Sequence, residues 1–295
     1  MKIFAHGACA VACMAAFAAL STPAVATEGG GGVYGQGSES FLAGALPPPG
    51  TYVINYDQYY HAGKFKGDKA GIASFDATVM ANATRFLPVF DAPFIGGVWA
   101  IHLVLPFVDA RAEVNGMSQH KSGLGDIVFS PAILGWHRGN WHYAVGVDIV
   151  APTGRYRKTD IANLGRNHWA IEPVVAVTYL NEAGFEASVK LMYDFNFKNK
   201  DTGYGSGNEL HADFLVGKHF GNFAAGVAGY AYQQVTGDYG SGAVLGDFKG
   251  RVFALGPNLR YQQGGLSVDA KYTREFGAVN KPQGDRIWLK LAITL

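Results

Sequence analysis

Side chains read in steps of two fall on two faces over positions 169–179 and again, after a short break, over 185–196. Within 185–196 the odd-numbered residues are apolar, whereas the even-numbered ones include Glu186, Lys190 and Asp194. A period of two is that of a β-strand and not of a helix. The charged side cannot face a dry core without partners. The pattern therefore predicts a strand with water on one side and lipid on the other.

The last eleven residues, 285–295, repeat this pattern. Their apolar side is formed by isoleucines and leucines, and the opposite side carries Trp288 and Lys290. In the outer membrane, a lysine on the lipid face near the midplane costs about 2–4 kcal/mol. A handful of misplaced charges would exceed the net stability of a domain. Each such strand therefore has one tolerable orientation.

Twelve candidate strands follow one another from residue 51 to residue 295. Most are close to the length of about nine to eleven residues that a tilted strand needs to cross a bilayer. Short connections (138–140, 181–184, 221–222, 263–264) alternate with long ones, as in outer-membrane barrels. We predict an all-β fold, a single twelve-stranded antiparallel transmembrane β-barrel with short periplasmic turns and longer extracellular loops. The predicted strands are 51–60, 72–86, 95–107, 123–137, 141–151, 169–180, 185–196, 209–220, 223–234, 250–262, 265–276 and 285–295.

Two segments precede the predicted barrel. Residues 1–26 have a basic start, an apolar middle and a small-residue cleavage site, which is the pattern of a signal peptide. Both cysteines, Cys9 and Cys13, lie in it, so the exported chain would have no disulfide or thiolate chemistry. Residues 27–50 form a leader rich in Gly and Pro, which disfavours a central strand. We expect this leader either to hang in the periplasm or to fold back into the lumen.

Composition narrows the class of protein. Charged residues make up 16% of the chain, against about 25% in an average protein. Gly, Phe and Tyr are abundant, with 40, 19 and 15 residues. Lys and Arg total 24 against 23 Asp and Glu, so no basic excess indicates nucleic acid. After the signal peptide, no run of about 18 apolar residues predicts a transmembrane helix. Composition alone still allows a soluble secreted β-sandwich, which the regular alternation of connections disfavours.

Polar residues on the predicted inner face form the main candidate site. One interpretation is the lining of a pore, and the other is a network of ion pairs that fills a narrow lumen, since twelve strands lie between filled and channel-forming barrels. Tyr230 and Tyr232 are candidates for contact with a ring-shaped solute, and the small inward residues Ala224, Gly226 and Ala228 would leave space for a loop or the leader. The lumen-lining candidates are Asp148, Glu172, Glu186, Lys190, Asp194, Glu209, His211, Asp213, Tyr230, Tyr232, Asp269, Lys271 and Lys290.

Strand register brings some of these residues together. Pairing of Asn181 with Phe185 would place Glu172 beside Asp194. We predict a pairing of Asn196 with Glu209 across the loop 197–208, which would place His211 next to Asp194. These side chains would then form a polar belt inside the wall.

The sequence gives little support for a metal site, a phosphate site or a catalytic site. Glu209, His211 and Asp213 share one face, but neighbours two apart on a strand are roughly 6–7 Å from one another, too far for one metal ion without another strand. We therefore expect no metal, no cofactor and no catalytic residue. The glycine cluster 203–207 is followed by neither a Lys-Ser/Thr pair nor a helix, so a phosphate site is not predicted.

An outer-membrane lipid hydrolase remains an alternative. Such an enzyme needs its nucleophile and base on the lipid face, whereas His142, His211 and Ser188 are predicted to face the lumen. His137 is predicted to face outward at a periplasmic edge. A structural barrel with a filled lumen is the third class.

Short motifs along nearly the whole exported chain resemble the family named for the MetA pathway of phenol degradation. They are 44–52, Gly-Leu-Gly-Asp at 123–126, Pro-Thr-Gly-Arg-Tyr at 152–156, 167–169, Glu172-Pro173, Thr178-Tyr179, 193–207 and Gly256-Pro257. Their order and spacing together are more specific than any single motif. The resemblance implies an outer-membrane channel linked to the handling of aromatic compounds, and it supplies no catalytic residues.

The predicted function is passive uptake of small hydrophobic or aromatic solutes across the outer membrane of a Gram-negative cell. No nucleotide or proton-coupling motif is found, so transport would be diffusive. The expected partners are outer-membrane lipid, the small solute and the barrel insertion machinery, and no nucleic acid.

Overall fold

The computed structural model describes residue 28 and residues 30–295, and the predicted signal peptide lies outside these residues. In this part of the chain, two single 3-10 turns, Asp68–Ala70 and Pro93–Ile95, accompany the strands, and no helix is long and apolar enough to cross a membrane. The strands are β1 (Gly50–Ala62), β2 (Phe65–Lys66), β3 (Phe75–Ala92), β4 (Gly97–Val114), β5 (Met117–Leu124), β6 (Ile127–Arg138), β7 (Trp141–Ala151), β8 (Ala170–Leu180), β9 (Phe185–Asn196), β10 (Lys198–Asn199), β11 (Tyr204–Gly205), β12 (Glu209–Phe220), β13 (Phe223–Gln234), β14 (Arg251–Gln263), β15 (Leu266–Val279), β16 (Lys281–Pro282) and β17 (Asp285–Thr294).

Twelve of these strands close into one antiparallel barrel. Each long strand pairs with its neighbour in sequence, and β1 closes the ring by pairing with β17, for example Tyr52 with Thr294. β5 continues β6, because both pair with β4. Closure leaves no open edge among these twelve strands, which is the condition for strands that cross a bilayer. The predicted twelve-stranded barrel is confirmed.

Several strand ends differ from the prediction on the side of the long loops. β3 and β4 are 18 residues each, and the segment 108–122, predicted as a loop, extends as a β-hairpin. Its turn is Asn115-Gly116, with φ of 51° and 80°. Positive φ at both positions is the geometry of a tight hairpin turn, and Asn-Gly is the favoured pair for it. The sequence prediction overlooked this dipeptide.

One register also differs from the prediction. Glu209 pairs with Asp194 and not with Asn196, so the predicted pairing is wrong by two residues. Asn196 lies beyond the end of this ladder, and its side-chain amide donates to the carbonyl of Gly207 at 3.0 Å. The loop is shortened by the small hairpin of β10 and β11. The β8–β9 register is as predicted, with Ile171 opposite Phe195, and Glu172 lies beside Asp194.

A β-bulge changes the face of one residue. The pairing of β6 with β7 shifts between Phe129 and Ala132, and the extra residue reverses the side-chain alternation beyond it. His137 consequently pairs with His142 on the same face, with the two Nδ1 atoms 2.7 Å apart. The predicted outward position of His137 is wrong for this reason.

The outer surface of the barrel is mostly apolar. Exposed side chains at mid-height include Leu289 and Leu291 on β17 and Phe107 on β4, with Tyr59 and Tyr272 closer to the long-loop end. An apolar band bordered by aromatic side chains is typical of a lipid-facing barrel wall. The outward face is therefore the one that the alternation predicts for lipid.

One polar patch interrupts this band, formed by Asn55 and Asp57 on β1 and Asn82 and Thr84 on β3. Asn82 Nδ2 donates to Asp57 at 2.6 Å and to Asn55 at 2.9 Å, and Asn55 Nδ2 donates to Thr84 at 3.2 Å. Asp57 pairs with Leu289 of the neighbouring strand, which places the patch at the height of the apolar band. The four side chains satisfy one another instead of facing lipid singly.

Candidate functional site

The leader lies inside the barrel. At the end of the long loops, the Glu28 carboxylate accepts hydrogen bonds from Tyr156 Oη at 2.9 Å and Asn199 Nδ2 at 2.7 Å. At the opposite end, Leu46 packs with Leu87 and Ile133 of the inner wall. The chain from residue 30 to residue 49 therefore runs down the lumen from the extracellular end to the periplasmic end.

Glu39 joins the leader to the cationic part of the wall. Its carboxylate accepts hydrogen bonds from Lys290 Nζ at 2.9 Å, Tyr56 Oη at 2.9 Å and Arg85 at 3.2 Å. Its backbone carbonyl accepts from Lys271 Nζ at 2.9 Å. Burial by itself would raise the pKa of Glu39, but Lys290 and Arg85 outweigh burial and hold this pKa well below its usual range. Glu39 is therefore an ionised anchor.

Asp213 of β12 holds the leader one step further along. Its carboxylate accepts from Tyr34 Oη at 2.8 Å and from the backbone N–H groups of Gly37 at 2.8 Å and Glu39 at 3.0 Å. The leader has no regular secondary structure here, so these N–H groups need acceptors from the wall. A predicted inward acid supplies them.

Glu186 and Thr178 hold the next part of the leader in the same way. Glu186 accepts from the N–H of Leu42 at 2.6 Å, and Thr178 Oγ1 accepts from the N–H of Gly44 at 2.9 Å. Glu186 also contacts His219 Nε2 at 2.5 Å. Only glycine fits at position 44, because a Cβ there would lie 2.6 Å from the backbone nitrogen of Thr178. The wall and the leader fit at backbone distance.

Apolar contacts close the periplasmic half of the lumen. Phe41 is buried among Leu215, Ala224 and Ala228, and Leu46 belongs to a second cluster on the opposite wall. The small inward residues of β13 thus accommodate a leader side chain, in agreement with the space that the sequence predicts there. The two clusters fill the space between the leader and the wall.

All thirteen predicted lumen residues lie on the inner face, and all but Lys190 are buried. Two of these candidates pair with other residues of the wall. Asp269 pairs with Arg260 at 3.1 Å, and Tyr230 Oη donates to Glu275 at 2.5 Å. Lys281 Nζ lies 3.8 Å from the centre of the Tyr232 ring, which leaves that face of the ring closed to a solute. Lys190 Nζ lies 4.6 Å from the centre of the Tyr34 ring.

The polar belt predicted from the register also forms. His211 Nε2 lies 3.0 Å from Asp194 Oδ2 and 3.4 Å from Glu172 Oε2, and all three side chains are buried. His211 reaches Asp194 diagonally across the strands, because the residue directly opposite His211 on β9 is Met192. The predicted β9–β12 register was wrong, but its prediction that His211 lies next to Asp194 is confirmed.

A cavity of about 1030 Å³ remains between the leader and the wall formed by β3, β4 and β6. Its base is polar and includes Arg85, His102, Asp148 and Lys190, with His102 Nε2 3.2 Å from Asp148 Oδ1. Its long wall is apolar. The residues of that wall on β3 and β4 are Ala77, Val79, Ala81, Ala83, Val104, Pro106, Val108, Ala110, Ala112 and Val114.

Sequence analysis missed this apolar wall. Between residues 77 and 83, the inward residues of β3 are alanines and a valine, and the outward ones are Thr78, Met80 and Asn82, so the two faces barely differ in hydropathy. The signal was the weak alternation of 72–86, whose polar residues, apart from Arg85, face outward. A polar inner face is the rule for such barrels, and these strands depart from it.

The loop 152–168 covers the extracellular end of the cavity. The Asp126 carboxylate accepts from the N–H groups of Gly154 at 2.8 Å and Arg166 at 2.6 Å, which fixes both ends of the loop. Lys121 pairs with Asp160 in the middle of the loop. Lys121 and, next, Gln119 lower the pKa of Asp160 by hydrogen bonding. The motifs at 123–126 and 152–156 therefore contact each other through the hydrogen bond from Gly154 N–H to Asp126.

Ser188 and His211, the two lumen residues considered for acyl transfer, are bonded to other groups in the described part of the chain. Ser188 Oγ is bonded to Glu186 at 2.5 Å and to Thr178 at 2.6 Å, and it lies in the lumen wall. His211 contacts the two carboxylates of the belt. Neither arrangement gives a hydroxyl bonded to an imidazole, which is the starting geometry for that chemistry.

Solved structures with the same fold are outer-membrane barrels. An outer membrane channel from Pseudomonas putida F1 superimposes with a TM-score of 0.78 at 16% identity, covering 87% of this chain and 99% of that one. The β-domain of the Bordetella autotransporter BrkA gives a TM-score of 0.51 at 11% identity, covering 83% of this chain and 99% of that one.

These likenesses agree with an outer-membrane location. No protein of curated function matches the chain in sequence. The family model described as the MetA-pathway of phenol degradation matches residues 61–291. The chain belongs to this family, and its fold is that of the outer-membrane β-barrels.

Proposed function

We propose that this barrel takes up small hydrophobic solutes, including aromatic compounds, by passive diffusion across the outer membrane. The observation that carries the proposal is the cavity with its apolar wall on β3 and β4. Ligand sites are typically clefts of about 300–1,000 Å³ with mainly apolar linings, and this cavity is at the upper end of that range. A lumen for ions would instead be lined by polar groups on all sides.

The leader fills the lumen below the cavity, so a solute would stay bound in the cavity before its release into the periplasm. The cavity reaches from the loop 152–168 down to Arg85, and below Arg85 the apolar clusters of Phe41 and Leu46 fill the lumen. A solute bound against the apolar wall would therefore leave toward the periplasm only when the leader moves. No energy source is required, because the solute follows its own gradient.

The test is uptake into proteoliposomes with a matched pair of variants. Ala81→Trp places an indole in the cavity, whereas Met80→Trp places the same side chain on the lipid face of the same strand. We expect Ala81→Trp to reduce binding and influx of a labelled aromatic hydrocarbon about fivefold or more, because the added ring fills the space. Met80→Trp should keep wild-type uptake. Equal uptake by both variants would refute the proposal.

A second candidate, a structural barrel with a filled lumen, is favoured by the dense contacts between the leader and the wall. Single-channel conductance in planar bilayers, measured with and without residues 27–50, separates the two functions. A channel should conduct more after the deletion. A structural barrel should show no solute flux in its full-length form, whatever the deletion does.

A further inference from the structure

We propose that Glu172, Asp194 and His211 bind a divalent transition-metal ion such as Zn²⁺ in the barrel wall. One ligand atom from each residue lies within 4.8 Å of the other two, and all three side chains are buried. Nε2 of His211 lies 3.0 Å from Asp194 and 3.4 Å from Glu172. The three residues come from the adjacent strands β8, β9 and β12.

The spacing of the ligand atoms suits a small metal ion. Zinc binds imidazole nitrogen and carboxylate oxygen at about 2.0–2.2 Å in tetrahedral sites, which places neighbouring ligand atoms roughly 3.3–3.6 Å apart. The observed distances lie close to that range, so small side-chain rotations would complete the site. Three residues on one strand could not reach this geometry, but a single residue from each of three strands can.

Charge balance favours a divalent cation over a proton. A protonated His211 carries one positive charge against two carboxylates, and its Nε2 proton can point to only one of them at a time. A divalent ion with a neutral imidazole neutralises both carboxylates, and burying unpaired charge is costly. The nearby Lys190 places its amine over the Tyr34 ring, 4.6 Å from the ring centre.

An unpartnered atom at the same place supports the assignment. Asp194 Oδ1 is buried and has no hydrogen-bond partner in the described part of the chain. Asp194 is fully buried, with 0% of its surface exposed. A carboxylate in that setting gains from a metal, which binds it more strongly than a single hydrogen bond does.

The cavity supplies access to the site. Glu172 lines the cavity, so an ion and a water molecule in the fourth coordination position can reach the group from the lumen. The Tyr34 ring lies 5.0 Å from the His211 ring and covers the site from the leader side. A bound ion would join three neighbouring strands directly beneath the leader.

The test is titration of the detergent-purified, metal-free barrel with Co²⁺, which reports coordination through its visible absorption. We expect one equivalent to bind with a tetrahedral or five-coordinate spectrum, and binding to weaken at least about tenfold in Asp194→Asn and in Glu172→Gln. His102→Gln is the matched control, because His102 is also a buried histidine but contacts one carboxylate only. It should bind Co²⁺ as the wild type does.

Heat-dependent gel mobility will identify variants that keep the folded barrel, and two substitutions are used so that one folding failure leaves the test intact. Absence of the spectrum in the wild type, or equal affinity in wild type, Asp194→Asn and Glu172→Gln, would overturn the proposal. Solute uptake is not measured, so the outcome is independent of the proposed channel function.

Discussion

Phe41 of the leader packs directly against Gly217 of β12. A Cβ at Gly217 would lie 2.9 Å from Cε1 of the Phe41 ring, closer than such contacts normally are. Ala224 and Ala228 on the next strand make the other side of the same recess. The wall thus omits side-chain volume where the leader adds it, and the leader is a fitted part of the lumen.

Replacing Phe41 with Ala should loosen the leader. Phe41 is 1% exposed, and truncation of a buried Phe costs about 3–5 kcal/mol. Single-channel recordings should show a higher open probability than in the wild type. The control is Phe185→Ala, which removes the same ring from the lipid face. An unchanged conductance in Phe41→Ala would contradict the role of this contact in closing the lumen.

Docking of the leader should depend on pH through Glu39. Its pKa is lowered from the ordinary value of 4.5 when the leader is docked, so the contribution of its charge is complete above pH 4.5 and is lost as the pH falls further. Conductance of the wild type should therefore rise as the pH is lowered from 4.5.

The matched variant for this effect is Glu39→Gln. Breaking a buried ion pair costs about 3–5 kcal/mol, so the variant should conduct more at pH 7. It should lack the component of the acid response that belongs to Glu39. A variant that retains the full response would show that other carboxylates control the docking.

The polar patch on the lipid face gives a prediction for stability. Asp57 is exposed at the height of Leu289, where acidic side chains on a barrel surface are unfavourable. Asp57→Leu should raise the free energy of unfolding in lipid vesicles by roughly 1 kcal/mol, because Asn82 keeps its bonds with Asn55. Urea titration in vesicles measures the change. A loss of stability would mean that the patch meets a polar partner and not lipid.

The extracellular loop should open when Asp126 is replaced. Asp126→Ala removes the acceptor for the N–H groups of Gly154 and Arg166, and each unsatisfied buried group costs about 1–3 kcal/mol. Arg155, Arg157 and Lys158 in this loop are trypsin sites. Cleavage by added trypsin in intact cells should be about tenfold faster than in the wild type. Asp109→Ala, on the outer hairpin, should leave the cleavage rate unchanged.

Local pattern predicted much of the wall. The two faces of β9 are set by consecutive residues such as Val189 and Lys190, and a period of two requires no knowledge of the rest of the chain. Where the two faces barely differ, as on β3, the same reasoning missed the apolar lining. It also missed the Asn115-Gly116 hairpin and the bulge that turns His137 inward.

The sequence by itself determined the strand count, the inward position of charged residues such as Glu186 and Lys290 and the alternation of turns and loops, because each is encoded by residues close together along the chain. The tertiary structure decided where the leader lies, which strands pair across the long loops and which acids meet. Glu39 and Lys290 are 251 residues apart in sequence, and Glu172 meets His211 across two strand boundaries. Such contacts depend on barrel closure and on the space left inside it, neither of which any single stretch of sequence contains.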